Sequence, residues 1–109
     1  MTTAREEEER MLEKEIEKIL VKEVKRLGGR AYKWVSPGTD GVPDRIVLLP
    51  GGIIWFAELK ADNGRVSPRQ EYQLAFLKRL GFNTIVIRGE NEVREFVAAR
   101  EKEVGAREI

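Results

Sequence analysis

Apolar positions along this chain change their period several times, and each change marks an element. Leu12, Ile16, Ile19, Leu20, Val24 and Leu27 recur at three- and four-residue spacing, which predicts one long helix over about residues 4–27. Gly28-Gly29 stops it. The run Glu6-Glu7-Glu8-Glu9 suits the positive end of that helix. A short strand is expected at residues 30–35, then a turn-rich loop, Ser36-Pro37-Gly38-Thr39-Asp40-Gly41. Two apolar runs, about 44–49 and 53–60, meet across Pro50-Gly51-Gly52 and read as a hairpin. The second run is apolar on both faces, with Ile54 and Phe56 on one and Ile53, Trp55, Ala57 and Leu59 on the other. A strand covered on both faces is central in its sheet.

Residues 61–66 are a polar loop containing Asn63-Gly64. Ser67-Pro68-Arg69-Gln70 then opens a helix, with Ser67 as N-cap, Pro68 in the first turn and Gln70 at the capping-box position. Its apolar stripe includes Tyr72, Leu74, Phe76, Leu77 and Leu80, and Gly81 ends it. Residues 83–87 form a β-branched strand, and a last helix over about 91–102 turns Val93, Phe96 and Val97 inward. The order α-β-β-β-α-β-α predicts an α/β fold, a mixed sheet flanked by helices.

A length of 109 residues predicts a single domain. With 41% hydrophobic and 36% charged residues, it carries one modest core under a densely charged surface. A chain this short gains stability from a partner surface, which favours dimerisation. The net charge of +1 gives no bulk signature of polyanion binding, so any nucleic-acid contact must come from local basic patches. There is no Cys and no His, which excludes disulfides, thiolate or imidazole zinc sites, Cys nucleophiles and His general bases. Chemistry is left to carboxylates, Lys, Arg, hydroxyls and a hard metal ion held by oxygen. No apolar run is long enough to span a bilayer, and the acidic start lacks a signal-peptide core, so an intracellular soluble protein is expected.

The hairpin carries charges that its scaffold does not need. Glu58 and Lys60 project from one face of their strand, and a short turn at 50–52 sets position 44 opposite position 58. Asp44, Glu58 and Lys60 therefore gather at one end of the hairpin. Two carboxylates a few ångströms apart repel, and a hard divalent cation relieves this. An adjacent lysine can orient or deprotonate an attacking water, or neutralise charge developing on a phosphate. These are the parts for metal-assisted phosphodiester hydrolysis. Taken alone, Glu58 with Lys60 reads better as a same-face ion pair worth under about 1 kcal/mol. The preceding Pro43-Asp44, the hairpin spacing and the placement of Glu58 where a doubly apolar strand ends shift the balance.

Gly41-Val42-Pro43-Asp44 followed by Glu58-Leu59-Lys60 resembles the PD-(D/E)xK nuclease superfamily. Gly28-Gly29 followed by Lys33, the Ser36-Pro37-Gly38 loop, Arg45 after Asp44, Ala57 before Glu58, and Ser67-Pro68-Arg69-Gln70 before Leu80-Gly81 together resemble the VRR-Nuc family within it. The resemblance spans about residues 10–88, leaving an acidic extension of the first helix and the C-terminal helix outside that core. It implies a restriction-endonuclease-like α-β-β-β-α-β core, in agreement with the order read from periodicity. It implies that Asp44 and Glu58 bind Mg²⁺ or Mn²⁺, that the Leu59 carbonyl completes the metal shell, and that Lys60 serves catalysis. Gln70 matches a further family motif, while a capping role explains it equally well. A helix-1 acid is also implied. Glu13 and Glu17 both lie toward one flank of the apolar stripe, with Glu13 ranked slightly ahead, and a solvated charge is the alternative for either.

The implied function is a metal-dependent, structure-specific DNA endonuclease, similar to Holliday-junction resolvases that act as homodimers in recombination and repair, in a bacterial or phage-infected cytoplasm. The alternatives are a restriction-like, flap or general nuclease, or a catalytically silent nucleic-acid-binding module on the same fold. Lys33, Arg45, Arg65 and Arg69 flank the proposed site as candidate phosphate contacts, though each alone reads as a solvated surface charge. Trp34 and Trp55 read as core or interface. Glu23 falls near the middle of the helix-1 stripe and needs a partner subunit or a basic residue.

Overall fold

The structure is a computed structural model that describes residues 3–107. Its elements are α1 (Ala4–Arg26), β1 (Arg30–Lys33), β2 (Arg45–Leu49), β3 (Ile53–Lys60), α2 (Pro68–Arg79), β4 (Asn83–Arg88) and α3 (Gly89–Arg107). The order is the one the periodicity predicts. α1 starts where Thr3 Oγ1 accepts the N–H of Glu6 at 3.2 Å. It ends in two back-bonds, Gly29 N–H to Val24 C=O and Gly28 N–H to Lys25 C=O, both 3.0 Å. Gly28 makes this turn at φ 91°, where a side chain is disfavoured. A side chain at Gly29 would collide with the Leu48 carbonyl, so the helix end sits directly against the hairpin.

The sheet order is β1-β2-β3-β4. The first three strands are antiparallel neighbours, and β4 runs parallel to β3 after the crossover through α2. β3 is therefore central, as its two apolar faces predict. Alternation divides the sheet into two unlike faces. On one, Ala31, Val47, Ile53, Ala57, Leu59 and Ile87 are buried beneath Ile16, Leu20 and Val24 of α1 and Val93, Phe96, Val97 and Val104 of α3. Trp55 closes this core edge-on to Phe96 at 5.5 Å, with the Arg100 guanidinium over its ring at 4.2 Å.

The other face meets only α2 and stays half open. Trp34, Phe56 and Phe82 form a ring-to-ring chain there, at 5.4 and 5.5 Å. Tyr32, Leu48, Ile54 and Phe82 remain exposed beside it. The predicted α2 stripe is correspondingly only partly buried: Leu77 goes in, whereas Tyr72, Phe76 and Leu80 stay exposed. Leu12 is exposed as well, so the core stripe of α1 starts at Ile16.

Element ends differ from expectation where tertiary contacts decide them. β1 stops at Lys33 and not at residue 35; Trp34 makes one last backbone bond, to the Asp44 carbonyl at 3.0 Å, and Val35 turns to solvent. α3 runs from Gly89 to Arg107, longer than the expected 91–102. Val104 is buried and Arg107 donates to the Gly51 carbonyl at 2.8 Å, which fastens the last turns to the hairpin loop. Among the described residues no helix is long and apolar enough to cross a membrane.

Candidate active site

The hairpin loop of Pro50-Gly51-Gly52 joins strands paired Leu49 to Ile53 through Arg45 to Ala57. The next pair in that register is Asp44 and Glu58. Gly41, at φ 85°, seats the preceding loop on α2, where a side chain would strike the backbone of Arg69 at 2.7 Å. Pro43 is buried behind it. The sequence Gly-Val-Pro-Asp thus delivers Asp44 between the hairpin base and the start of α2.

Asp44 Oδ2 accepts the N–H of Leu59 at 2.9 Å. Glu58 is 2% exposed, the one buried charged side chain among the described residues. Its Oε2 accepts from Gln70 Nε2 at 3.0 Å and lies 3.5 Å from Lys60 Nζ. Its Oε1 is buried with no donor among the described residues. Gln70 serves two ends at once. Its Oε1 accepts the Ser67 N–H at 2.9 Å while the Ser67 Oγ accepts the Gln70 N–H at 3.2 Å, completing the capping box. The capping role and the site role of Gln70 are therefore one arrangement.

Burial raises the Glu58 pKa from 4.5 to about 7; the neighbouring Asp44 charge and a hydrogen bond with Asp44 add to the rise, and Lys60 opposes it. Asp44 is also raised, first by burial and then by the charge of Glu17, against the Leu59 hydrogen bond. The two carboxyls are close enough to share a proton. When both ionise, Glu58 Oε1 has nothing to answer it. A hard cation bound by oxygen fits that arrangement, because it supplies the charge that the repelling pair lacks. Among the described residues, no group of three or more Asp, Glu, His or Cys converges as a ready-made metal cage.

Of the helix-1 acids, Glu17 acts on Asp44 through its charge and is itself held by Arg45. Glu17 Oε1 accepts from Arg45 Nε at 2.8 Å, and Arg45 Nη1 also donates to the Ala31 carbonyl at 3.1 Å. Glu13 is half-buried one turn earlier on α1. Leu59 is buried and contributes its backbone. Of the flanking cations, Arg45 is engaged within the chain, and Arg69 is exposed and paired with Asp40 at 2.6 Å. Lys33 is exposed at the end of β1, and Arg65 is exposed in the loop before α2. Glu23 finds its basic partners, Arg26 at 2.9 Å and Arg94 at 3.1 Å. The Arg26 hydrogen bond holds its carboxyl below the usual range.

Sequence reasoning did not connect Glu17 with Arg45, which lie 28 positions apart. It also passed over Lys14, Lys18, Lys22 and Lys25, which share one groove with that pair. The four-residue spacing of the first three lysines was the available signal.

The fold, with Pro-Asp on one arm of the hairpin and Glu-Leu-Lys on the other, is that of the PD-(D/E)xK nucleases. The family model described as VRR-NUC domain matches residues 1–91, and the chain belongs to that family of nucleases. It is 52% identical over 75 residues to "Putative nuclease p44" of Acyrthosiphon pisum secondary endosymbiont phage 1, covering 69% of this chain and 81% of the phage protein. A solved structure described as a VRR_NUC domain superposes with a TM-score of 0.75 at 30% identity, covering 79% of this chain and 94% of that one. A second, described as a VRR_NUC domain protein, shares the fold at a TM-score of 0.65 and 22% identity, over 79% of this chain and 84% of that one.

Proposed function

We propose that this nuclease is a divalent-metal-dependent DNA endonuclease that cuts branched DNA, four-way junctions above all, as a homodimer. The observation that carries the reading is the pair of half-buried Asp44 and buried Glu58, with the unanswered Glu58 oxygen beside Lys60 and Gln70. Asp44, Glu58 and the Leu59 carbonyl would hold Mg²⁺ or Mn²⁺, with Glu13 or Glu17 as the helix-1 acid. The metal supplies Lewis-acid charge neutralisation at the scissile phosphate and eases deprotonation of the attacking water.

The chain's own residues do the rest. Lys60 orients the water or neutralises the charge that develops on the phosphate during in-line attack. Gln70 fixes the Glu58 carboxylate by one of its oxygens and leaves the other free to bind. Lys33, Arg65 and Arg69 are available to the DNA backbone, which positions without reading sequence. The exposed apolar strip of Tyr32, Leu48, Ile54 and Phe82 supports self-association, since a contiguous apolar patch rarely stays in water.

The test is a cleavage panel of four-way junction, flap, linear duplex and single-stranded DNA with Mg²⁺ or Mn²⁺, with metal omitted as control. Preferred metal-dependent cutting of the junction is expected, lost in Lys60→Ala while the fold persists. Absence of cleavage on every DNA structure sinks the proposal. Equal cutting by Lys60→Ala removes Lys60 from it. Chain mass in solution, measured by light scattering, decides the dimer.

A further inference from the structure

One flank of α1 carries Lys14, Lys18, Lys22 and Lys25, all exposed. At 100° per residue the four fall within an arc of about 80°. They line a groove of about 530 Å³ together with Val21, Glu17 and Arg45. Glu17 is already taken by Arg45 at 2.8 Å, so the lysine charges in the groove stay unbalanced. Several arginines elsewhere on the surface are paired: Arg26 with Glu23 and Glu101, Arg69 with Asp40, Arg94 with Glu23 and Glu90. Among the described residues no carboxylate forms an ion pair with any of the four lysines. Glu15 borders the stripe on its solvent side, and Glu23, bonded to its arginines, also feels the charge of Lys22 without pairing with it.

A solvated helix face normally mixes signs and is convex. This one sets four lysines and Arg45 against a single carboxylate, Glu17, which Arg45 already holds, and it is concave, in a chain whose net charge is only +1. The groove approaches the site through Glu17, whose charge is felt by Asp44. From Lys14 to Lys25 the stripe runs about 16 Å, at 1.5 Å per residue. One strand of a duplex presents about five phosphates over that length, one per 3.4 Å of axis.

We propose that Lys14, Lys18, Lys22 and Lys25 form a backbone track that holds the sugar–phosphate chain of a duplex arm leading away from the cleavage site. The track rests on the nuclease reading, and it deepens that reading by assigning where the uncut arm lies. It reads charge and spacing and no bases, so it serves arms of any sequence.

The experiment measures anisotropy of a labelled four-way junction and a labelled linear duplex in EDTA over a salt series, so that binding is read without cleavage. The triple variant Lys18→Gln, Lys22→Gln, Lys25→Gln is expected to bind both DNAs at least about tenfold more weakly near 0.1 M salt. Its log–log salt slope should be shallower by about 2 to 3. Lys18→Arg, Lys22→Arg, Lys25→Arg should restore both. With metal, the Gln variant should raise KM and leave kcat near the parent value. An unchanged affinity and slope in the Gln variant overturns the track, as does a loss that the Arg variant fails to rescue. A variant that loses anionic vesicles but keeps DNA assigns the stripe to a membrane surface and overturns it too. If the parent cuts no DNA yet the salt slope responds as expected, the nuclease reading fails and the track stands.

Discussion

The two faces of the sheet are built to different rules. Beneath α1 and α3 the face is closed: Val47, Ala57 and Leu59 are each 1% exposed or less, and Leu20 of α1 is fully buried over them. Beneath α2 the same strands present Ile54 and Phe56, then Glu58 and Lys60, under partial cover. The closed face spends its residues on packing. The half-open face accepts a buried carboxyl pair that opposes folding once ionised. Packing and the proposed site thus sit on opposite sides of one β-strand, residue by residue. Substitutions should separate the two faces.

The sharpest separation is Glu58→Gln. Cleavage should fall by about 10²–10⁴-fold, the scale of a lost catalytic group. The metal-free protein should become more stable at pH 8, because a buried charge is gone; denaturant melts beside cleavage assays check this. A variant less stable than the parent breaks the comparison. On the closed face, Leu20→Ala should destabilise by about 2–5 kcal/mol through cavity formation. Its activity per folded molecule should persist below the melting temperature.

The pH dependence comes next in size. Glu58 titrates at about 7 in the fold against 4.5 as its ordinary value. Between those values the native state binds more protons than the unfolded one, so stability falls as pH rises. The stabilisation is fully present below about pH 4.5 and is lost through about pH 7, by at most about 3 kcal/mol. Asp44, also raised, adds in the same direction. The chain has no histidine, so little else titrates across this window. Metal-free melts from pH 5 to 8 should show the slope, and Glu58→Gln should flatten most of it.

Gln70→Ala should cost about 1 kcal/mol of stability through the lost capping contact. It should slow cleavage by about tenfold, the scale of one hydrogen bond to a charged group. Ile54→Ser on the open face should move monomer stability by only about 0.5 kcal/mol. It should shift the protein toward monomer in light scattering; an unmoved mass places the partner surface elsewhere.

Local rules explain why so much was legible beforehand. A three-residue hairpin loop between apolar runs fixes register, and register alone sets Asp44 opposite Glu58. Ser67 and Gln70 at capping-box spacing predict the start of α2 to the residue. What escaped depends on distant partners. Tyr72, Phe76 and Leu80 form a sound helical stripe yet stay exposed, and Leu77 is the buried residue of α2, because the open face offers too little cover. α3 runs past residue 102 because Val104 is buried and Arg107 reaches Gly51, a contact spanning 56 positions. The Arg45–Glu17 pair likewise joins a strand to a helix that periodicity treats separately.

Gln70 gives α2 a share in the state of the site. Its amide oxygen opens the helix, and its amide nitrogen steadies Glu58. Whatever draws Glu58 Oε2 toward a new partner tugs the far end of the same rigid amide plane, one bond from the helix start. The first turn of α2 is therefore a built-in gauge. The exchange rates of the Ser67 and Gln70 amide protons should shift as the carboxyl pair beneath them goes from protonated to ionised.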